Sequence, residues 1–321
     1  MHGSSTSHSL IQSRSKKQNI SGILLLDKPQ GISSNKAVQI TKHLFTATRC
    51  GHTGTLDPMA SGLLPLCLGE ATKFSSVMLG ANKSYEATLK LGYTSTTGDS
   101  EGEITRLDTS NVQPDWQYCE HILKQFLGAI TQTPPMHSAL KYQGKPLYVY
   151  ARQGKTIDRP TRTVTIYDLQ IQAFQTDTLQ LKIRCSTGTY IRTLAEDIGK
   201  ALGVGGAYLT QLRRTEVDRY DLSQAQSLAN LKTLSAQDLK SLLLPVDHLL
   251  EQFPPVHLDE SAASRISQGQ IIPCPDTTTT ALPAESFIRL YRHPQQFIGL
   301  GKITDQQTIM AKRLLAQQLT E

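Results

Sequence analysis

The chain has 321 residues, a net charge of +6, 38% hydrophobic and 19% charged residues, the balance of an ordinary globular protein long enough to bury a sizeable core. No apolar run approaches the roughly 18 residues of a membrane helix. The Ser-rich, basic start lacks the apolar stretch of a signal peptide, so residues 1–18 read as a disordered tail, while five cysteines, odd in number and scattered, make a reduced, cytoplasmic location the expectation. The five cysteines are scattered without a CxxC pair and no histidines show HExxH-type spacing, so neither a metal nor another cofactor is expected.

SGILLLDKPQG predicts a strand ending in a turn. SSNKAVQITKHLF follows as a helix that Ser33 or Ser34 can cap, with Ala37, Val38, Thr41, Leu44 and Phe45 on one face. GHTGTLDPMASGLLPL, residues 51–66, sets His52 and Asp57 on a Gly-bearing loop that runs straight into a buried strand, GLLPLCLG. KSYEATLKLG alternates as a strand, and PDWQYCEHILKQFLG reads as a helix with Pro114 at its start and Gly128 at its end. Residues 134–162 hold Lys141, Lys145, Arg152, Lys155, Arg159 and Arg162 against Asp158, with Tyr142, Tyr148 and Tyr150 between them. Basic residues interleaved with aromatics suit an RNA backbone with exposed bases, while a solvated charged face is the ordinary reading of such a run.

TVTIYDLQIQAF and TLQLKIRCS read as strands, and YIRTLAEDIGKALG as a helix. GVGGAY at 203–208 follows that helix rather than a strand and lacks the full GxGxxG spacing, so no dinucleotide site is predicted. Strands and helices mix without a regular βαβ repeat, which predicts an α+β fold: a mainly antiparallel mixed sheet flanked by helices over residues 19–250. The Pro-bearing EQFPPV marks a boundary near 251, followed by a small β-rich domain over 251–321 with strands at SFIRLY and QFIGLGKI. That last part holds six Lys/Arg against seven Asp/Glu, so the positive excess belongs to the larger part and favours a polyanionic partner.

GHTGTLDPMASGLLPL resembles the catalytic motif of the TruB family of tRNA pseudouridine synthases, and LDKPQGISS, KSYEA, PPMHSALKYQGKPLYVYARQG, GTYIRTLAEDIG and LRRT resemble that family's other blocks in order. The likeness covers about residues 20–220, with the C-terminal piece similar to a PUA-type RNA-binding module. It implies the pseudouridine synthase fold and a cofactor-free isomerase acting on uridine 55 in the T-loop of tRNA. Such an enzyme breaks the bond from N1 to C1′, turns the base and rejoins it through C5, which needs an ionised, well-placed oxygen. The resemblance assigns that oxygen to Asp57 and its partner to Arg192, whose guanidinium can hold a carboxylate in two parallel bonds.

By the same resemblance Tyr85 stacks on the target base and takes the C5 proton, Tyr190 and Leu212 enclose the uracil, and His52 fills the space left by the extruded base. Lys28 and Pro29 buttress the loop, and Lys141, Lys145 and Arg152 grip the RNA. Whether Asp57 attacks C1′, adds to C6 or removes the C2′ proton stays open. A monomer needing no protein partner is expected, with the T-arm of tRNA as its substrate. Two rivals stand beside this reading: the related guide-dependent synthase, and a folding helper that opens the T-arm.

Overall fold

The apolar runs of the sequence pair across one mixed sheet, seen in a computed structural model that describes residues 18–108 and 113–316. In chain order the elements that frame the site are β1 (Gly22–Lys28), α1 (Ser34–Leu44), β2 (Cys50–His52), β3 (Ser61–Leu68) and β4 (Lys83–Leu91). Then come α2 (Trp116–Leu123), β5 (Gly128–Gln132), β6 (Arg162–Gln175), β7 (Thr178–Cys185), α3 (Ile191–Ala201), β8 (Ala207–Val217) and β9 (Gln226–Ser227). Spatial order in the sheet is β9-β1-β3-β8-β4-β7-β6-β5, with β2 paired to β3. Only β1 with β9 and β3 with β8 run parallel along this order, so the α+β expectation of a mainly antiparallel sheet matches the architecture.

Side chains alternate across a strand, and here both sets are apolar where both faces are covered. Leu24, Leu26, Leu64, Leu66, Tyr85, Ala87, Leu181, Ile183 and Leu212 join Val38 of α1 and Leu194 and Ile198 of α3 in one core. Ile23, Leu25, Leu63 and Cys67 point the other way, against Phe74 and Met78 of the helical turns Gly69–Gly80.

That second face also receives the C-terminal sheet: β10 (Pro255–Leu258), β11 (Ile272–Pro273), β12 (Phe287–Arg292), β13 (Gln296–Ile303) and β14 (Thr308–Leu314), in the order β10-β12-β13-β14-β11. Phe287, Phe297 and Leu300 enter the same cluster, Phe297 with its ring centroid 5.9 Å from that of Phe74. The two sheets therefore share apolar burial rather than hanging on a linker.

Several elements differ from the sequence reading. Helix α2 starts at Trp116, capped by Asp115 rather than opened by Pro114. It passes through a tight turn, Lys124–Phe126, and Gly128 begins β5 instead of ending a helix. Residues 134–162 form a small hairpin, Lys141–Tyr142 with Lys145–Pro146, and a short helix, Leu147–Ala151. Lys141, Lys145 and Arg152 are all exposed there. Of the expected tail, residues 1–17 lie outside the described residues, while Gln18 donates its N–H to Thr46 O at 2.9 Å. No helix among the described residues is long and apolar enough to cross a membrane, and among them no group of His, Cys, Asp and Glu is arranged to hold a metal ion.

Candidate active site

The loop of residues 53–60 connects β2 to β3 and is tied down at both ends and in its middle. Ser34 is buried at the start of α1, and its hydroxyl donates to Leu56 O at 2.9 Å while accepting from Leu56 N at 2.8 Å. Ser33, one residue earlier, is the helix cap and accepts from Lys36 N. Of the two serines open to that role, one caps and the other clamps the loop next to Asp57. The turn after β1 adds Gly31 N donating to Pro58 O at 2.8 Å. Lys28 is 0% exposed and donates to Pro29 O at 2.9 Å and Ile32 O at 2.8 Å. It shapes the turn that touches the loop rather than bonding to the loop itself.

Asp57, 33% exposed at its side chain, meets Arg192 in the first turn of α3, with Nη2 to Oδ2 at 3.0 Å. The parallel, two-bond fork expected from the residue types does not form. Arg192 Nη2 also donates to His137 O at 2.7 Å, Nη1 donates to Thr97 O at 2.8 Å, and Nε faces Asp99 Oδ2 at 3.8 Å. A guanidinium that is 5% exposed at the electropositive end of a helix is unfavourable alone, and two carboxylates with two carbonyls offset that. Gly98 is required for this approach: its φ is +76° and a Cβ there would sit 3.2 Å from Arg192 Cβ. Burial pushes the Asp57 carboxyl above its usual range and Asp99 adds to this, while Arg192 and Lys28 pull it back down.

Cross-strand register brings the next side chains together. Tyr85 on β4 lies opposite Arg214 on β8 and Ile183 on β7, and Ala87 lies opposite Leu212 and Leu181. Tyr85 and Leu212 are both buried on this face. Burial pushes the Tyr85 phenol up; Arg214 opposes that shift, and the Asp57 charge adds to it. Tyr190, at the cap of α3, is held through its backbone by Gln132, which accepts from Tyr190 N at 3.0 Å and donates to Tyr190 O at 3.2 Å. The Arg162 guanidinium lies over its ring at 4.6 Å. His52 Nδ1 accepts from Gly54 N at 3.3 Å, and burial with Arg214 nearby holds the imidazole below its usual range.

Asp57, Arg192 and Tyr85 are thus electrically coupled, with His52 at the foot of the same loop. Lys141, Lys145 and Arg152 stand apart on the exposed segment, which reaches the site through His137 O. Ser34, Asp99, Gln132 and Arg214 carry no signal in the sequence that marks them as site residues. Arg214 lies in the LRRT block without a role attached to it, and TTGDSEG around Asp99 reads as an ordinary turn. A cleft of about 550 Å³ is lined by Met59 of the catalytic loop, by Ala87, Leu181 and Leu212, and by the polar Glu86, Gln180 and Arg213.

Residues 42–191 match the model of the TruB family pseudouridylate synthase N-terminal domain, and residues 192–251 that of the tRNA pseudouridylate synthase B C-terminal domain. Residues 254–315 match "Pseudouridine synthase II TruB, C-terminal". The chain is 51% identical over 302 residues to tRNA pseudouridine synthase B of Nitrosospira multiformis, covering 93% of this chain and 96% of the relative. It is 47% identical to the protein of the same name from Methylobacillus flagellatus, covering 96% and 99%. Among solved structures it resembles one chain of an H/ACA RNP bound to a substrate RNA, with a TM-score of 0.67 and 21% identity over 92% of this chain and 85% of that one. It also resembles one of a Cbf5-Nop10-Gar1 complex, with a TM-score of 0.65 and 24% identity over 92% and 84%. At such identities these two speak to the fold alone.

Proposed function

Because this chain belongs to the TruB family of tRNA pseudouridine synthases, we propose that it isomerises uridine 55 in the T-loop of tRNA, with Asp57 as the essential carboxylate. The observation that carries this reading is the approach of Asp57 to Arg192 at 3.0 Å, on a loop clamped from three sides. A rigid loop delivers a carboxylate in a fixed direction, and Arg192 favours its ionised form against burial. In the reaction the bond from N1 to C1′ breaks, the freed uracil turns within the pocket, C5 bonds to C1′, and C5 loses its proton.

The remaining residues follow from that sequence of events. Tyr85 and Leu212 form the apolar wall against the extruded base, Tyr190 closes it from the start of α3, and Tyr85 accepts the C5 proton. A base leaving its stack loses a few kcal/mol of stacking. His52, kept neutral, offers a flat ring to fill that gap. Lys141, Lys145 and Arg152 grip phosphates on the exposed segment, and the sheet formed by β10 to β14 serves as a second, PUA-type RNA-binding domain.

The purified chain alone, given a T-arm stem-loop carrying C5-tritiated uridine at the target, releases tritium without a guide RNA or partner protein. Replacing the target uridine abolishes release. Release only after a guide and partners are added would assign the chain to the guided enzymes. Binding without release under either condition would favour the folding helper.

A further inference from the structure

Arg214 is 1% exposed, among the largest fully buried side chains of the described residues, and none of its hydrogen-bond acceptors is a carboxylate. Its Nε donates to Leu63 O at 2.7 Å, Nη2 to Gly54 O at 3.2 Å and Nη1 to Thr55 O at 3.4 Å. Two of these acceptors belong to the loop that carries Asp57, two or three residues before it. The third lies on β3, the strand into which that loop runs. From β8 the side chain shares a face and a register position with Tyr85 on β4. The backbone is cut to fit: at Gly62, opposite Arg214, φ is +101° and a Cβ would lie 2.2 Å from Arg214 O. At Gly54 a Cβ would lie 3.8 Å from Arg214 Nη1.

A buried cation whose hydrogen-bond acceptors are all neutral carbonyls is costly and persists where something else gains from it. A loop could be held by an uncharged donor. The charge itself acts on what lies beside it, and the group that can become an anion there is the Tyr85 phenol. We infer that Arg214 is a positioning residue that locks the Asp57 loop to β8, the neighbour of the strand bearing Tyr85, and supplies the positive charge against which the Tyr85 oxygen exchanges its proton. The inference rests on reading Tyr85 as the acceptor of the C5 proton. In that step the phenolate oxygen takes the proton from C5, the electrons of the broken C–H bond form the C5–C6 double bond, the C6–N1 π pair passes to N1, N1 takes a proton from solvent, and Arg214 keeps all its protons. The phenolate is generated beforehand by loss of the phenol proton to solvent.

Other groups face the phenol and titrate differently. Cys185, at the end of β7, is pushed up to about 11 by burial and stays neutral through the working range. Asp57 also faces the phenol and adds to its upward shift, and it is left in place in every variant compared. Lys83, two residues before Tyr85 on the same strand, is lowered by burial to about 8 and contributes a limb of its own, which persists when Tyr85 is replaced. Arg214 draws the phenol down against burial, the direction an acceptor near neutral pH needs.

The test compares wild type, Arg214→Gln, Arg214→Lys and Tyr85→Phe in single-turnover tritium release between about pH 6 and 10, with T-arm affinity and melting temperature measured alongside. Arg214→Gln is expected to bind RNA within a few-fold of wild type. Its rate near neutrality should fall by about 100-fold, within the range of proton-transfer contributions, and recover as pH rises. Arg214→Lys, which keeps the charge but loses the fork, should show a smaller loss that changes little with pH, and Arg214→Met takes the place of the Gln variant if that one does not fold. A loss of equal size at every pH in the folded Gln or Met variant, with Tyr85→Phe slow, overturns the role assigned to Arg214. Tyr85→Phe turning over at the wild-type rate would instead remove the tyrosine from the mechanism, and this inference with it.

Discussion

Ser34→Ala isolates the mechanical half of the site, because Ser34 touches the loop beside Asp57 and bonds to none of the proposed chemical groups. In the native chain its hydroxyl both donates to Leu56 O and accepts from Leu56 N, at 2.9 and 2.8 Å, in a buried environment. Alanine leaves that N–H and C=O without their partner. Each buried, unsatisfied group costs about 1–3 kcal/mol, so the two together should destabilise the chain by about 2–6 kcal/mol. For a protein of this size that corresponds to a fall in melting temperature of roughly 3–9 °C. The freed loop also lets Asp57 move relative to Arg192, and a displacement of about 1 Å can slow chemistry about 100-fold. Calorimetry reads the first effect and single-turnover tritium release at saturating tRNA the second, with affinity for the T-arm expected to change little. A variant that melts and turns over like wild type would refute the idea that this serine holds the catalytic loop. One that loses RNA affinity instead of rate would refute the separation of loop geometry from binding.

Other outcomes follow from the same structure. Lys28 is held by burial at about 8, below its usual 10.5, so between those values the unfolded chain binds the extra proton and folding gains stability as pH rises. Denaturant unfolding at pH 7.5 and 9.5 should show wild type gaining on Lys28→Met between the two; an unchanged difference would mean that the amine titrates normally. Replacing Lys141, Lys145 and Arg152 together should weaken tRNA binding and lower the log-log salt slope by roughly 0.7–0.9 for each phosphate no longer neutralised, whereas an unchanged slope returns them to a solvated face. Phe297→Ala removes an aromatic from the core shared by the two sheets and should cost about 3 kcal/mol. A loss confined to RNA affinity, with unchanged melting, would contradict a shared core. Turnover should persist in excess EDTA once the tRNA is folded, and a metal requirement beyond that folding would contradict catalysis by side chains alone.

The fold was legible where periodicity was strong. The runs at β1, β3, β4, β6 and β7 alternate or stay apolar for seven residues or more, and the helical face of Ala37, Val38 and Thr41 is the buried one; β8, whose AYLTQLRRTEV does neither, was not read as a strand. What failed was punctuation: Gly128 reads as a helix end but opens β5, because the stop comes three residues earlier in a tight turn whose residues carry no signal. In the site, Asp57 and Arg192 were legible as a pair, but their geometry was not. A guanidinium can fork one carboxylate or be shared among four acceptors, and the choice is made by Thr97, Asp99 and His137, which approach from elsewhere in the chain. Arg214 shows the same limit, since its environment depends on register between β8 and β4 and on two glycines far away in sequence.

The central claim is that one carboxylate carries the chemistry while other surfaces carry the RNA, and Asp57→Asn tests it most directly. The amide keeps the shape of the side chain, so the loop and its clamp should survive, while the charge facing Arg192 is lost. Measured on one preparation, tritium release from T-arm uridine should fall below detection while the dissociation constant for the same RNA stays within several-fold of wild type. Turnover retained by a purified, correctly folded Asp57→Asn protein would contradict the account, because the fixed geometry of this loop would then serve no chemistry.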